Sequence, residues 1–133
     1  MKECVFEVEM KVRDYECDIQ GIVNNANYQH YIEHARHEFL RSFGADFAQL
    51  HRDGVDAVVS KIAIEYKQSL VGGERFVCKI RISKKGPKMV FYQDIFSLDN
   101  HCLAARAEVD VVIKHHGQLT RGEYFDILFK DFL

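Results

Sequence analysis

Hydrophobic residues occupy alternate positions near the start of the chain. The apolar positions are Phe6, Val8, Met10 and Val12, and a charged residue stands between each pair. Because successive side chains of a strand point to opposite faces of a sheet, this period of two predicts a strand with one solvent-exposed face.

The period changes at about residue 25, where apolar positions follow a helical spacing. At about 100° per residue, five apolar side chains fall within about 60° of Tyr28. They are Tyr31, Ile32, Ala35, Phe39 and Phe43. The side chains from Asn25 to Asn27 can cap free backbone N–H groups, and Gly44 can end a helix. The pattern predicts a long helix of roughly 25 Å with a broad apolar face.

Four further strand patterns follow, separated by turn signals. The alternating apolar residues lie within residues 58–66, 76–82, 89–95 and 103–113. In the first of these segments one face is predicted to carry Val58, Ile62, Ile64 and Tyr66. Turn-forming pairs separate the segments: Gly72 with Gly73, Gly86 with Pro87, and Asp99 with Asn100. The pattern predicts an antiparallel sheet.

Two short helices complete the predicted order of elements. One is a helical turn from Asp46 to His51, and the other follows a capping box predicted for Thr120 and Glu123. The apolar residues of the last helix are Tyr124, Ile127 and Leu128. A single long helix is thus available to cover one face of a five-stranded antiparallel sheet, which is an α+β arrangement.

The composition agrees with one folded domain. The chain has 133 residues, of which 47% are hydrophobic, so it can bury a core as a single domain over residues 1–133. No stretch is long and apolar enough to cross a membrane, and the first residues lack the pattern of a secretory signal. We therefore expect a cytoplasmic protein with no membrane partner.

Charge and cysteine content argue against two further classes of protein. The net charge of −2 at pH 7 disfavours general binding to nucleic acid. The cysteines, Cys4, Cys17, Cys78 and Cys102, form no CxxC pair, so neither a zinc knuckle nor a disulfide scaffold is predicted. We expect them to be reduced and mostly structural.

The segment DIQGIVNNANY, from Asp18 to Tyr28, stands directly before the long helix. Turn chemistry explains Gly21 and the asparagines, because glycine tolerates positive φ and asparagine can hydrogen-bond its own backbone, but it requires no acid. The segment resembles the active-site motif of hotdog-fold acyl-CoA thioesterases of the 4-hydroxybenzoyl-CoA thioesterase type. That motif runs Asp, two residues, Gly, a hydrophobic residue, Val, three residues, Asn and Tyr. The following YIEHARHEFLRSFG also resembles that family's central helix.

The resemblance implies a fold and a reaction. It implies a hotdog fold over nearly the whole chain, with the sheet wrapped around the helix. It also implies that Asp18 attacks a thioester carbonyl or activates water, while backbone N–H groups nearest Asn25 form the oxyanion hole. Free N–H groups and the positive dipole end at a helix N-terminus suit that role. Gly21 would turn the acid towards the carbonyl, and neutral variants of the neighbouring acids Asp14 and Glu16 are expected to change hydrolysis little.

No histidine is present in this loop. Many relatives carry Tyr-His where this chain has Asn24 and Asn25. Plant-type acyl carrier protein thioesterases, whose DxNxHVNN string is also similar, place a catalytic Asn and His at the positions of Gln20 and Ile22. An acid-only mechanism is therefore predicted, either nucleophilic or general-base, with Gln20 as a candidate for positioning water or substrate.

The helix histidines raise the question of a metal site. His30, His34 and His37 have spacings that can place imidazoles on one helical face. They lie about 180° to 240° from the apolar centre, where a solvated face or a subunit contact is expected. We predict neither a metal nor a cofactor, apart from coenzyme A as part of the substrate, and expect Glu33 to be structural.

Substrate binding is predicted from two groups of residues. Cations around the turn at Gly86 and Pro87 are candidates for binding the phosphates of coenzyme A, although a solvated basic turn is the alternative. They are Arg81, Lys84, Lys85 and Lys88. The acyl pocket would be lined by aromatic residues, of which Tyr28, Tyr31 and Phe39 are candidates.

The leading hypothesis is a thioesterase that hydrolyses an acyl- or aroyl-CoA to the free acid and CoA. Acyl carrier protein (ACP) thioesters are the alternative substrates, and a dehydratase or a silent acyl-thioester binder are non-hydrolytic alternatives. Dehydratases of this fold usually need a catalytic histidine, which the loop lacks. Because the hotdog sheet has an open edge and the family builds its site against a second copy, the resemblance implies a homodimer or homotetramer.

Overall fold

The fold consists of one antiparallel sheet and three helices. The computed structural model describes residues 3–45 and 47–133, including every side chain except that of Phe47. The strands are β1 (Phe6–Lys11), β2 (Val55–Tyr66), β3 (Arg75–Lys85), β4 (Lys88–Ser97), β5 (Leu103–His115) and β6 (Gln118–Leu119). The helices are α1 (Asn25–Arg41), α2 (Phe47–Arg52) and α3 (Glu123–Leu128), and a 3-10 turn covers Asp14–Glu16.

The order of the strands in the sheet is β1-β3-β4-β5-β2, so β1 and β2 form its edges. One row of apolar side chains crosses four strands through the paired residues Ile82, Phe91, Val109 and Ile62. The predicted α+β class is confirmed. The additional strand β6 pairs only with the end of β5, because His116 (φ 50°) and Gly117 (φ 80°) turn the chain back on itself.

Helix α1 packs against β1 and β3 with the apolar face that its spacing predicted. Tyr28, Tyr31, Ile32, Ala35 and Phe39 are all buried. The predicted cap at Asn25 to Asn27 is wrong by one residue, because Asn24 is the last residue with an extended backbone and its side chain accepts a hydrogen bond from the Ala26 N–H. Within the described residues, no helix has the length and apolarity needed to span a membrane.

Because of a β-bulge, the predicted face of β2 is wrong at Val58. Val59 pairs with Val111 and Lys61 pairs with Asp110, so Ser60 is an extra residue without a partner on β5. The extra residue reverses the alternation, and Val58 therefore points to the opposite face from Ile62. Regular alternation could not predict this reversal.

The capping box predicted for the last helix is also wrong. Helix α3 begins after Gly122, which has a φ of 79°, and no side chain caps it. Thr120 Oγ1 instead donates to the Ile113 carbonyl at 2.9 Å. Ile127 is 70% exposed, whereas Phe125 and Phe129 are buried, because α3 places its aromatic face against α1 and stacks Phe129 on Phe39 with ring centroids 5.4 Å apart. Of the predicted turn Asp46 to His51, Asp46 lies outside the described residues.

Candidate active site

A tight loop carries the acid that the motif singled out. The loop is closed by a bridge between Cys17 and Val23 and by a hydrogen bond from the Asp18 N–H to the Ile22 carbonyl at 2.9 Å. Inside it, the Gly21 N–H donates to the Asp18 carbonyl at 3.0 Å. Gly21 has a φ of +81°, a conformation that residues with a Cβ rarely adopt. Glycine at this position therefore permits the tight turn that closes the loop carrying Asp18.

The Asp18 side chain is half-buried and held on one side. Its Oδ1 accepts a hydrogen bond from the Gln20 N–H at 2.8 Å, as in an Asx turn. Within the described part of the chain, Oδ2 has no hydrogen-bond partner. The turn therefore restrains the carboxylate and leaves one oxygen available to a water molecule or a ligand.

The N-terminus of α1 contains a backbone donor that is not used by any described residue. The Ala26 N–H donates to Asn24 Oδ1 at 3.0 Å, and the Asn27 N–H donates to the Asn24 carbonyl at 2.9 Å. The Asn25 N–H makes no hydrogen bond to any described residue. A free N–H at the positive end of a long helix is suited to binding a developing oxyanion.

A cleft of about 130 Å³ opens between the start of α1 and the end of β2. Asn25 and Tyr28 form one side and Tyr66 the other, while Ile22 and Val23 extend the wall into the loop. Asp18 itself does not line this cleft, although it belongs to the same loop.

Tyr28 lies at the inner wall of the cleft. Its hydroxyl oxygen accepts a hydrogen bond from the Leu70 N–H at 3.1 Å, and its ring meets that of Tyr66 edge-on with centroids 5.3 Å apart. Burial raises the pKa of Tyr28 above its usual value. The phenol thus stays protonated at neutral pH and retains a proton that it can donate.

Glu16 holds the loop against the helix, a role that the sequence did not predict. Its carboxylate accepts hydrogen bonds from the Arg13 N–H at 2.7 Å and the Tyr31 hydroxyl at 2.9 Å. Its carbonyl accepts from the Asn24 N–H at 3.0 Å and from Asn27 Nδ2 at 2.7 Å. One buried residue therefore joins the segment before the loop to the first two turns of α1, and the expectation that its neutral variant changes hydrolysis little stays a prediction.

The basic residues of the β3–β4 turn lie far from Asp18 in the same chain. The loop of Asp18 touches the residues just before β3, where Ile22 bridges to Val71, whereas the cations occupy the other end of that strand. At about 3.3 Å per residue, an eleven-residue strand separates the two by roughly 30 Å. Three of the predicted cations have partners within the chain. Arg81 pairs with Asp94 at 3.6 Å, Lys84 with Asp126 at 3.5 Å and Lys88 with Asp110 at 2.8 Å.

Lys85 and Gln20 are the most accessible of the predicted binding residues. Lys85 Nζ lies 5.7 Å from the ring centroid of Tyr92, and it forms no ion pair with a described carboxylate. A hydrogen bond to Tyr92 is the main cause that raises the pKa of Lys85. Gln20 is exposed, and its side chain makes no hydrogen bond to the described residues. Gln20 can therefore contact a ligand or a second copy of the chain directly, whereas Lys85 would exchange its contact with Tyr92 to do so.

The described residues contain no group of three or more histidine, cysteine, aspartate or glutamate side chains placed to hold a metal ion. His30 and His34 are exposed and His37 is half-buried. That the protein needs no metal stays a prediction.

Comparison with known proteins decides the family. The model of the Thioesterase superfamily matches residues 20–104, which is more than half of the chain. The chain belongs to the thioesterase superfamily. The match includes Gln20, Gly21 and the whole of α1, and it begins two residues after Asp18.

Solved structures of other proteins share the fold of this chain. A crystal structure of a hypothetical protein from Aquifex aeolicus has a TM-score of 0.83 and 28% identity, over 92% of this chain and 98% of that one. A DHNA-CoA thioesterase from Staphylococcus aureus has a TM-score of 0.79 over 94% of this chain and 83% of that one, and at 23% identity it shows the fold alone. The predicted single hotdog domain is thereby confirmed.

A curated relative has a higher sequence identity to this chain than these two structures have. A chloroplastic acyl-acyl carrier protein thioesterase of Arabidopsis thaliana is 42% identical over 95 residues, which are 71% of this chain and 50% of the relative. The chain spans about half the length of the two plant relatives that it matches.

Proposed function

We propose that this chain hydrolyses an acyl thioester, with Asp18 as nucleophile or general base and the Asn25 N–H as an oxyanion donor. One observation carries the proposal: Asp18, with one carboxylate oxygen that no described residue binds, lies on the hydrogen-bonded loop that leads into α1, and the first N–H of α1 also has no hydrogen-bond partner among the described residues. Thioester hydrolysis needs these two parts, an attacking group and a donor aimed at the carbonyl oxygen.

The reaction can follow either of two routes. In the first, Asp18 attacks the carbonyl carbon, the thiolate leaves, and water hydrolyses the resulting mixed anhydride. In the second, Asp18 takes a proton from water as the water attacks, and the thiolate leaves with formation of the free acid. In both routes the Asn25 N–H stabilises the negative charge that develops on the carbonyl oxygen. The loop contains no histidine that could act as a base together with Asp18, so the Asp18 carboxylate must be ionised.

Coenzyme A and ACP are the two proposed carriers of the acyl group. The resemblance to 4-hydroxybenzoyl-CoA thioesterases favours an acyl- or aroyl-CoA, and one structural neighbour of 16% identity is described as a complex with CoA. The plant relative is named as an acyl-ACP thioesterase, and its 42% identity favours ACP as the second candidate. Tyr28 and Tyr66 at the cleft are the proposed contacts of the acyl group.

We also propose that the active protein is a homodimer or a homotetramer. β2 is an edge strand of twelve residues, and it leaves a row of backbone groups open for pairing with a second copy. In such an assembly the β3–β4 turn of one copy can lie next to the Asp18 loop of another copy and contribute to its substrate-binding site. Lys85, which has no carboxylate partner among the described residues, is then a better candidate for a CoA phosphate than Arg81 or Lys84.

A screen of thioesters tests the proposed activity. Short, long and aromatic acyl groups are offered on CoA and on ACP, and the free thiol is measured as it forms. We expect thiol release from at least one series, and the preferred carrier separates the two substrate classes. If substrates bind without release of thiol on either carrier, the protein is a binder and hydrolysis is refuted.

A further inference from the structure

Glu74 is a buried carboxylate that only neutral groups bind. The residue is 8% exposed, and it forms no ion pair with a described cation. The Val71 N–H donates to its Oε1 at 3.0 Å, and the Ser97 hydroxyl donates to its Oε2. Because burial of a charge is costly, these two hydrogen bonds must be kept for the carboxylate to remain in this place.

Ser97 attaches the carboxylate to the sheet. It is the last residue of β4, it is 2% exposed, and it pairs with Phe76 on β3. Its oxygen accepts hydrogen bonds from the Asp99 N–H at 3.2 Å and the Asn100 N–H at 3.3 Å. A hydroxyl has two lone pairs and one proton, so the proton is left for Glu74.

The other oxygen of Glu74 holds the turn at residues 71–74. Both backbone polar groups of Val71 are bonded to Glu74, since the Val71 carbonyl accepts a hydrogen bond from the Glu74 N–H at 3.1 Å. Within the turn, the Gly73 N–H donates to the Val12 carbonyl at 3.0 Å. The turn is therefore fixed to the residue that follows β1 as well as to the Glu74 side chain.

This turn supports both the Asp18 loop and α1. Val71 bridges to Ile22, and the Leu70 carbonyl accepts a hydrogen bond from the Val23 N–H at 2.9 Å. The Leu70 N–H donates to the Tyr28 hydroxyl oxygen at 3.1 Å. Residues 70 and 71 thus contact the second half of the loop and the first turn of the helix at the same time.

Glu74 lies behind the wall of the cleft. It is close enough to Tyr28 that its negative charge adds to burial, the main cause, in raising the pKa of that phenol. It is not among the residues that line the cleft between Tyr28 and Tyr66. A ligand in the cleft would therefore meet residues that the turn holds, and not Glu74 itself.

We propose that Glu74 is a positioning residue: its carboxylate fixes the turn at residues 71–74, and the turn fixes Asp18 relative to the Asn25 N–H. The proposal rests on the proposed function of these two groups. A displacement of about 1 Å in an active site can lower a rate by about a hundredfold. The role depends on the length of the side chain more than on its charge, because a shorter acid cannot reach Val71 and Ser97 together.

A matched pair of variants separates length from charge. Glu74→Gln keeps the length and an acceptor for the Val71 N–H, and its amide group can donate to the Ser97 oxygen. Glu74→Asp keeps the charge but is one methylene shorter. On a thioester that the wild type hydrolyses, kcat should fall at least about tenfold in Glu74→Asp with KM unchanged, and stay within about threefold of the wild type in Glu74→Gln.

Amide hydrogen exchange tests the same geometry without turnover. The Val23 N–H, which is bonded to Leu70, should exchange at least about tenfold faster in Glu74→Asp than in the wild type, while amides at the centre of β4 and β5 keep their protection. If the wild type releases no thiol, the proposed function fails, and the exchange still shows whether Glu74 holds the loop.

Phe129→Leu is the control for a general loss of stability. Phe129 stacks on Phe39 near the end of α1 that is far from the loop, so this variant should keep kcat within about threefold of the wild type. A wild-type kcat in Glu74→Asp overturns the proposal, as does an equal loss in Glu74→Gln or in Phe129→Leu. Unchanged exchange of the Val23 N–H in Glu74→Asp also overturns it.

Discussion

The Tyr31 hydroxyl donates a hydrogen bond of 2.9 Å to Glu16 Oε1, and both residues are buried. The contact joins the second turn of α1 to the 3-10 turn before the loop that carries Asp18. Burial and this hydrogen bond raise the pKa of Tyr31, so the phenol remains a donor over the whole physiological pH range. The position of Asp18 relative to the helix start therefore depends on Glu16.

We expect Glu16→Gln to reduce the free energy of unfolding by about 1–3 kcal/mol, because a neutral amide cannot replace every hydrogen bond that the buried carboxylate accepts. Urea denaturation measures the loss. Asp14→Asn is the matched control, since Asp14 is exposed and its side chain accepts no hydrogen bond from the described residues. Equal stability of the two variants would refute the structural role of Glu16.

Asp18→Asn should lower the rate of thioester hydrolysis by at least about a hundredfold. The amide oxygen can still accept the hydrogen bond from the Gln20 N–H, so the turn is kept while the carboxylate is lost. Turnover is measured together with the binding of a non-hydrolysable CoA thioester, which should change little. Asp14→Asn again serves as control. Undiminished turnover in Asp18→Asn, after deamidation is excluded, would rule out this loop as the catalytic centre.

Gly21→Ala should destabilise the protein by about 1–2 kcal/mol, because an L-residue is strained in the left-handed region. No atom lies within 4 Å of the added Cβ, so the loss would come from the backbone alone. Gly72→Ala is the control: its φ is not in that region, and its Cβ would lie 3.4 Å from Asp14 Oδ1. Thermal unfolding compares the two, and a smaller loss for Gly21→Ala than for Gly72→Ala would contradict the strain argument.

Light scattering should give the mass of a dimer or a tetramer at micromolar concentration. Ser60→Pro should shift the protein towards the monomer, because the ring obstructs pairing along the open edge of β2. Ser60 stands opposite no residue of β5, and both Ser60→Pro and Ser60→Ala lose the hydrogen bond that its Oγ donates to the Asp110 carbonyl at 3.3 Å, so the two variants differ in the backbone N–H and the proline ring. Ser60→Ala, which keeps the backbone N–H, should retain the assembly. A fully active monomeric wild type would show that the second copy is not needed.

The local pattern of the sequence was sufficient to predict the main strands and the long helix, and to single out the motif in the loop before that helix. Alternation from Phe6 to Val12 and helical spacing from Tyr28 to Phe39 follow from the geometry of a strand and a helix, which depends on neighbouring residues only. The bulge at Ser60 could not be predicted from local patterns, because an extra residue is identified only from the pairing of β2 with β5. A single inserted position was enough to move Val58 to the other face.

By itself the sequence determined the α+β class, the long amphipathic helix and the turn-rich loop before it, because periodicity, turn residues and motif spacing are properties of adjacent positions. Only the tertiary structure decided that Glu16 is a buried acceptor and that the cations near Lys85 lie at the far end of β3. Each of these depends on which residues distant in the chain pack together. The environment of a charge is set by those distant neighbours, since burial and pairing, rather than residue type, decide what a charged side chain can bind.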